Sequence, residues 1–444
     1  MLALGLCLLA IGGCVSSGPR RPPAGSNVVF LVIDAAGARH LSCYGGERET
    51  TPNIDALAGE GTLFERAYAQ APWTWPSVAS YMTGRRPPVR GKIPADFVDR
   101  PLSAILKAAG LRTAAFSENP YVTGQLGMAK GFDVFEEYFP YEVLAENGAA
   151  YERIESDQTV SDVDAWLEAN GQARFFLYVH LLPPHAPYDP PPPFSGRFDS
   201  AYEGSIEGRP DILKAIDDGE TQIDARDLEH LVAQYQENLL YADHQVGRIL
   251  ESLRNRDLLD KSLLIVASDH GEAFQEHGRM LHNHTVYEEM IHVPLIIRFP
   301  PGSACLPSKW SGVVELTDLL PTVLDFLDVP LPDDIHGSSL LNVRGEGKAA
   351  ERVARSWTSL MPALYAGLIA GDHKLIRNLD SGETELYNLR HDPDEKHDLS
   401  EEEPSLARQL SALLQSTGLS TIEMKDTELD EKTLKRLRSL GYLQ

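Results

Sequence analysis

Unbroken runs of apolar residues recur along the chain, separated by stretches in which apolar positions return every three or four residues. The first run, "NVVFLVID" from Asn27 to Asp34, has no polar position between its ends, the pattern of a strand buried on both faces. The stretches "RTAAFSEN", "RFFLYVHL", "SLLIVASDH" and "HVPLIIRFP" repeat it further on. Between them "NIDALAGEG", "PLSAILKAAG" and "LVAQYQENLLYADHQVGRILESL" carry helical spacing. Strands alternating with helices predict an α/β fold with helices on both faces of a sheet. The acidic stretch from Phe194 to Asp227 follows a run of prolines and reads as a loop over one edge.

The chemistry-bearing residues fall where these runs stop. Asp34 closes the first strand, His180 and His185 lie at and beyond the end of another, and Asp269 with His270 closes a third. Ligands of open α/β sheets bind beyond the carboxyl ends of strands. Two carboxylates and an imidazole suit a divalent ion such as Zn or Mn, and Thr74 offers a fourth oxygen. Thr74 opens the segment "TWPSVASYMTG", whose Pro76 suits a first helical turn and whose Gly84 suits a helix end. The predicted helix starts at about Trp75 or Pro76, so its free amides face any anion beside Thr74. A hydroxyl coordinated to a metal loses its proton far more readily, which would make Thr74 an attacking alkoxide. The plain alternative is that Thr74 caps the helix. The stretch "DHGEAFQEHGRMLHNH" adds His277, His282 and His284 to His270. Imidazoles gather where metal and proton-transfer work is done, although His277 and His180 read as structural.

Charge narrows the partners. The 444 residues carry a formal net charge of −25, which excludes a coat for long polyanions and so a nucleic-acid partner. A small anionic ester, or a phosphorylated lipid or glycan head group, remains suitable. Residues 1–14, "MLALGLCLLAIGGC", form an apolar run too short to span a bilayer, and its end resembles a bacterial lipoprotein box with Cys14 as the lipidated residue. Residues 15–26 read as a flexible tether. The expectation is an exported protein, lipid-anchored at a cell-envelope membrane. Cys43 and Cys305 are too far apart in sequence to argue for a disulfide framework and read as buried small residues.

Taken together, "LVID", "TPNIDALAGEGTLFERAYA", "WTWPSVASYMTGRRP", "FFLYVHLLPPHAPYDPP", "SDHGEAFQEHGRMLHNHTVYEEMIHVPLII" and "ELYNLRHDPDEKHDLS" resemble the sulfatase family of the alkaline phosphatase superfamily, in the family's order. The resemblance implies a mixed, mostly parallel sheet flanked by helices over residues 27–330. It also implies a small C-terminal α+β subdomain over 331–400, with residues 401–444 left as a helical tail. It places Asp34, Thr74, Asp269 and His270 around one divalent metal, with Zn or Mn favoured over calcium, which prefers six to eight oxygens. His282 falls where sulfatases carry a lysine that contacts the anion, and His185 where they carry a histidine near the leaving group. Thr74, His185 and His282 are then the catalytic candidates, and Ser77 and His284 the substrate-binding ones.

Departures from the family pattern point to the reaction. Sulfatases carry cysteine or serine followed by x-P-S-R, and oxidise it to formylglycine. Here the motif is Thr74-Trp75-Pro76-Ser77-Val78, and oxidised threonine would be a ketone. Threonine at this position resembles the superfamily's phosphodiesterases, lipoteichoic acid synthases and phosphoethanolamine transferases. Ala35 stands where sulfatases have a second aspartate, and Gly37 and Arg39 where relatives often carry an arginine and an aspartate. The expected function is a metal-dependent hydrolase or transferase acting on phosphate esters, phosphodiesters above all. The alternatives are a sulfuric ester hydrolase working without formylglycine, or a noncatalytic surface lipoprotein with an anion-binding pocket.

Overall fold

A computed structural model describes residues 25–89, 97–138, 141–144, 150–303, 306–342, 352–359 and 363–416. The signal-like segment, nearly all of the tether, Cys305 and the tail from residue 417 onward lie outside the described residues.

Eight strands form the central sheet: β1 (Asn27–Ile33), β2 (Thr62–Phe64), β3 (Arg112–Ser117), β4 (Val134–Glu137), β5 (Phe175–Leu181), β6 (Ser262–Ala267), β7 (Leu295–Arg298) and β8 (Lys309–Trp310). They lie in the order β8-β2-β7-β6-β1-β5-β3-β4. Strands β6, β1, β5, β3 and β4 pair in parallel, and only β7 runs antiparallel to both of its neighbours. This is the mixed, mostly parallel sheet that the resemblance implies, within the α/β fold that the apolar runs lead one to expect. Every residue of β1 is buried, because helices cover both faces.

The two faces follow the alternation of side chains along β1. Helix α1 (Pro52–Glu60) precedes helix α2 (Thr74–Thr83), and Val28, Phe30 and Val32 pack into one cluster with Val78, Ala79 and Tyr81 of α2. Val29, Leu31 and Ile33 pack into the other with Leu239, Val246 and Ile249 of the long helix Ala225–Asn255. That helix begins with Asp224 accepting from the backbone amides of Arg226 and Asp227, a capping box completed by Asp227. A smaller antiparallel sheet of Val353–Trp357, Tyr365–Ala370, His373–Asn378 and Thr384–Asn388 follows, with the helix Pro404–Ser416 packed on it.

Two expectations need correction. The stretch from Phe194 to Asp227 is not wholly loop: Pro210–Asp217 is helical, burying Leu213 and Ile216, and the long helix already starts at Ala225. Cys43 is half-buried rather than buried, its amide donating to Asp55 Oδ1 at 3.0 Å. Among the described residues, no helix is long and apolar enough to cross a membrane.

Candidate active site

Helix α2 starts one residue earlier than its proline suggests. Trp73 has the extended backbone of an N-cap, and Thr74 is already in the first turn. Thr74 is therefore not the cap, and its side chain is free for another use. Gly84 closes the helix in the left-handed region at φ 69°. The Thr74 hydroxyl is wholly buried, with Oγ1 3.3 Å from His270 Nε2 and 3.2 Å from Asn119 Nδ2.

Around it stand the ends of four parallel strands: Asp34 beyond β1, Asn119 beyond β3, His180 within the last turn of pleat of β5, and Asp269 and His270 beyond β6. His270 Nε2 lies 3.4 Å from Asp34 Oδ1 and 3.5 Å from Asp269 Oδ2. Those two carboxylate oxygens are buried and outside any hydrogen bond. An ion held about 2.0–2.1 Å from four tetrahedral donors sets them roughly 3.3 Å apart. The three spacings from His270 Nε2, to Thr74, Asp34 and Asp269, are of this size. His180 also reaches this cluster, since it can offer a ligand atom within 4.8 Å of one from Asp34 and one from Asp269.

The charges bear this out. Burial opposes ionisation of Asp34, yet the hydrogen bond from His180 and the surrounding imidazoles outweigh it and hold the carboxyl below its ordinary range. For His180 the same contact outweighs burial and raises the imidazole. Asp269 is pushed up, first by burial and then by the charge of Asp34. Two carboxylates this close need a cation to be charged together.

A second group of imidazoles borders the first. The His282 ring lies 4.4 Å from that of His270 and 5.1 Å from that of His185. Burial and then the neighbouring imidazoles drive His282 well below its ordinary range, while burial drives Glu272 well above its own. The two side chains meet at 3.0 Å, His282 Nδ1 against Glu272 Oε1. His282 is flanked by Leu281 at φ 65° and Asn283 at φ 84°, two non-glycine residues in the left-handed region. Such backbone gathers at functional sites.

Of the residues read from sequence, Asp34, Thr74, Asp269, His270, His185 and His282 converge. Ser77 and His284 have other partners. The Ser77 hydroxyl donates to the Asp269 carbonyl at 2.6 Å. His284 is engaged with Arg279, the Met280 carbonyl and Asp217. His277, stacked on Tyr287 and bonded to Glu289, is structural as expected. His180, also read as structural, instead touches Asp34 at 3.3 Å. Asn119 and Glu272 were missed, although Asn119 lies three residues past the apolar Ala114–Phe116, near a strand end like the one that singled out Asp34.

A family model described as sulfatase matches residues 26–329. The chain belongs to the sulfatase family. As a member it is an ester hydrolase, and a second model, N-sulphoglucosamine sulphohydrolase C-terminal, matches residues 275–418. Among curated sulfatases, an N-acetylglucosamine-6-O-sulfatase of Bacteroides thetaiotaomicron is 25% identical over 97% of this chain and 92% of its own. Arylsulfatase K of Homo sapiens is 26% identical over 93% of this chain and 86% of its own. Solved structures share the fold. One protein in complex with its substrate D-glucosamine-2-N,6-O-disulfate superimposes with a TM-score of 0.70 at 22% identity, covering 88% of this chain and 97% of that one. The phosphonate monoester hydrolase of Agrobacterium radiobacter gives a TM-score of 0.69 at 19% identity over 88% and 95%.

Proposed function

We propose that this sulfatase-family chain hydrolyses or transfers phosphate esters, phosphodiesters in preference, with Thr74 as nucleophile. The observation that carries the reading is the Thr74 hydroxyl. It is buried at the start of α2, beside His270 and the two unbonded carboxylate oxygens, at the position where formylglycine chemistry requires cysteine or serine.

A divalent ion, Zn or Mn in preference to Ca, would be held by Asp34, Thr74, Asp269 and His270, and would supply positive charge that lowers the hydroxyl pKa and offsets charge on the ester. Thr74 Oγ1 forms the new bond to phosphorus as the bond to the departing alcohol breaks, leaving a phosphothreonine that water or an acceptor alcohol releases. His185 and His282 border this point, and one of them takes up the proton that Thr74 releases and returns it to the departing oxygen. Ser77, whose hydroxyl holds the Asp269 carbonyl, supports this ligand from behind.

Charge supports a diester. Among the described residues, no Lys or Arg is bonded to Asp34, Thr74, Asp269 or His270, whose neighbours are imidazoles and the Asn119 amide. A phosphodiester or phosphonate monoester carries one negative charge, whereas a phosphomonoester carries about −1.5 to −2. The fold it shares with a phosphonate monoester hydrolase is consistent with this. The sulfatases among its relatives favour a second reading, a sulfuric ester hydrolase working without formylglycine on sulfated sugars. The lipoprotein-type segment would hold either enzyme at a membrane by a lipid on Cys14.

The test is initial rates on aryl phosphodiester, aryl phosphate and aryl sulfate with Zn, Mn or Ca, for the wild-type protein and Thr74→Ala. Diester turnover with Zn or Mn that falls about 10³-fold or more in the variant is expected. Cleavage of sulfate alone transfers the reading to the second, full activity in Thr74→Ala removes the nucleophile, and no turnover on any ester favours a noncatalytic anion-binding lipoprotein.

A further inference from the structure

The two oxygens of Asp34 face different neighbours. Oδ1 has no hydrogen bond and lies 3.4 Å from His270 Nε2. Oδ2 receives the Asn119 amide and lies 3.3 Å from His180 Nε2. Behind His180 a line of hydroxyls continues: Nδ1 is 2.8 Å from Tyr178 Oη, and Tyr178 Oη is 2.7 Å from Tyr81 Oη. Residues 178 and 180 share one side of β5, and Tyr81 belongs to α2, the helix that carries Thr74.

Proton bookkeeping decides what His180 does. If Tyr81 donates to Tyr178 and Tyr178 to Nδ1, then Nε2 carries a hydrogen and donates it to Asp34, and every donor in the line has an acceptor. If Nδ1 alone carries the hydrogen, the line reverses. Tyr81 then loses its acceptor within the line, and the Nε2 lone pair faces a carboxylate oxygen. Donors left without acceptors in a buried site cost about 1–3 kcal/mol, so the first arrangement wins. An Nε2 that carries a hydrogen cannot bind a metal.

The geometry points to His180 as a positioning residue: backed by Tyr178 and Tyr81, it occupies one oxygen of Asp34 and leaves the other as the single ligand atom toward the cation. A carboxylate confined to one oxygen suits a four-coordinate ion, whereas calcium takes carboxylates with one or both oxygens and needs more of them. The line thus selects the ion, and it ties the orientation of Asp34 to the helix that positions the nucleophile. This rests on the reading of Asp34, Thr74, Asp269 and His270 as a metal site.

The test uses the full chain, stripped of metal and titrated with zinc or calcium against a chromophoric chelator, for wild type, His180→Gln and Tyr178→Phe. Expected is a zinc affinity ten- to hundredfold lower in His180→Gln, with a smaller loss in Tyr178→Phe, and a narrower preference for zinc over calcium in both. The cobalt(II) absorption of His180→Gln should keep the wild-type band position. Unchanged affinity in both variants overturns the inference, as does a band shift showing that a nitrogen ligand has gone. A wild-type chain that binds neither ion is a different failure, because it removes the metal site itself and the proposed function with it.

Discussion

Lys374 on the small sheet and the Asp34–Asp269 pair at the edge of the large one are both centres of buried charge, neutralised in different ways. Lys374 Nζ sits 3.0 Å from Glu288 and 2.9 Å from Glu395, and none of the three is open to solvent. Burial works against the ammonium, but the two carboxylates outweigh it and raise Lys374 above its ordinary range. That cluster has its cation built in, on a strand. At the other, two carboxylates meet imidazoles and an amide, and one oxygen of each is left without a hydrogen bond. The fold places a lysine beside one buried pair and leaves the other without one, and under the proposed function that second pair takes its cation from solution.

The contrast is sharpest when the built-in cation is removed. Lys374→Met leaves Glu288 and Glu395 buried together, and should cost about 3–5 kcal/mol of folding stability in a denaturant titration. Added zinc should not restore it; recovery would mean that the two clusters are alike. Supplying the missing cation is the next largest effect. At a hundredfold excess over its dissociation constant a bound ion stabilises the native chain by about 2.7 kcal/mol. A chelator should therefore lower the melting temperature of the wild type, and a midpoint indifferent to chelator would sink the contrast. Smallest is Asp269→Asn without metal. It removes a carboxyl already pushed up by burial and by Asp34, so it should raise stability slightly at neutral pH. The same change with zinc present should lower stability, and the reversal of sign is the outcome to look for.

These differences also show what could be read from the chain. Asp34, Asp269 and His270 were legible because each lies at or just past the end of an apolar run, and such runs end at the edge where ligands bind. Thr74 was legible from Pro76 and Gly84 around its helix. His180 was not, because its role depends on β5 being the neighbour of β1, in a register that sets Val32 beside His180. Strand order is a property of the assembled sheet, and no local pattern encodes it. The helix Pro210–Asp217 was hidden by acidic composition, although Ile212, Leu213 and Ile216 have helical spacing. Glu272 was passed over because its interest lies in His282, which reaches it only through the left-handed backbone at Leu281 and Asn283.

The strand order has a consequence in time. Among the described residues β1 is the first strand made, yet its two neighbours are β5 and β6, both far along the chain. Until residues 262–267 have been added, one edge of β1 is a bare row of amides and carbonyls, and Asp34 has neither Asp269 nor His270 beside it. Sequence-distant pairings of this kind form slowly, because the loop between them must close before any contact repays it. The site is thus completed late in folding, and a chain interrupted before Ser262 would carry an apolar strand with one open edge where the finished protein has its chemistry.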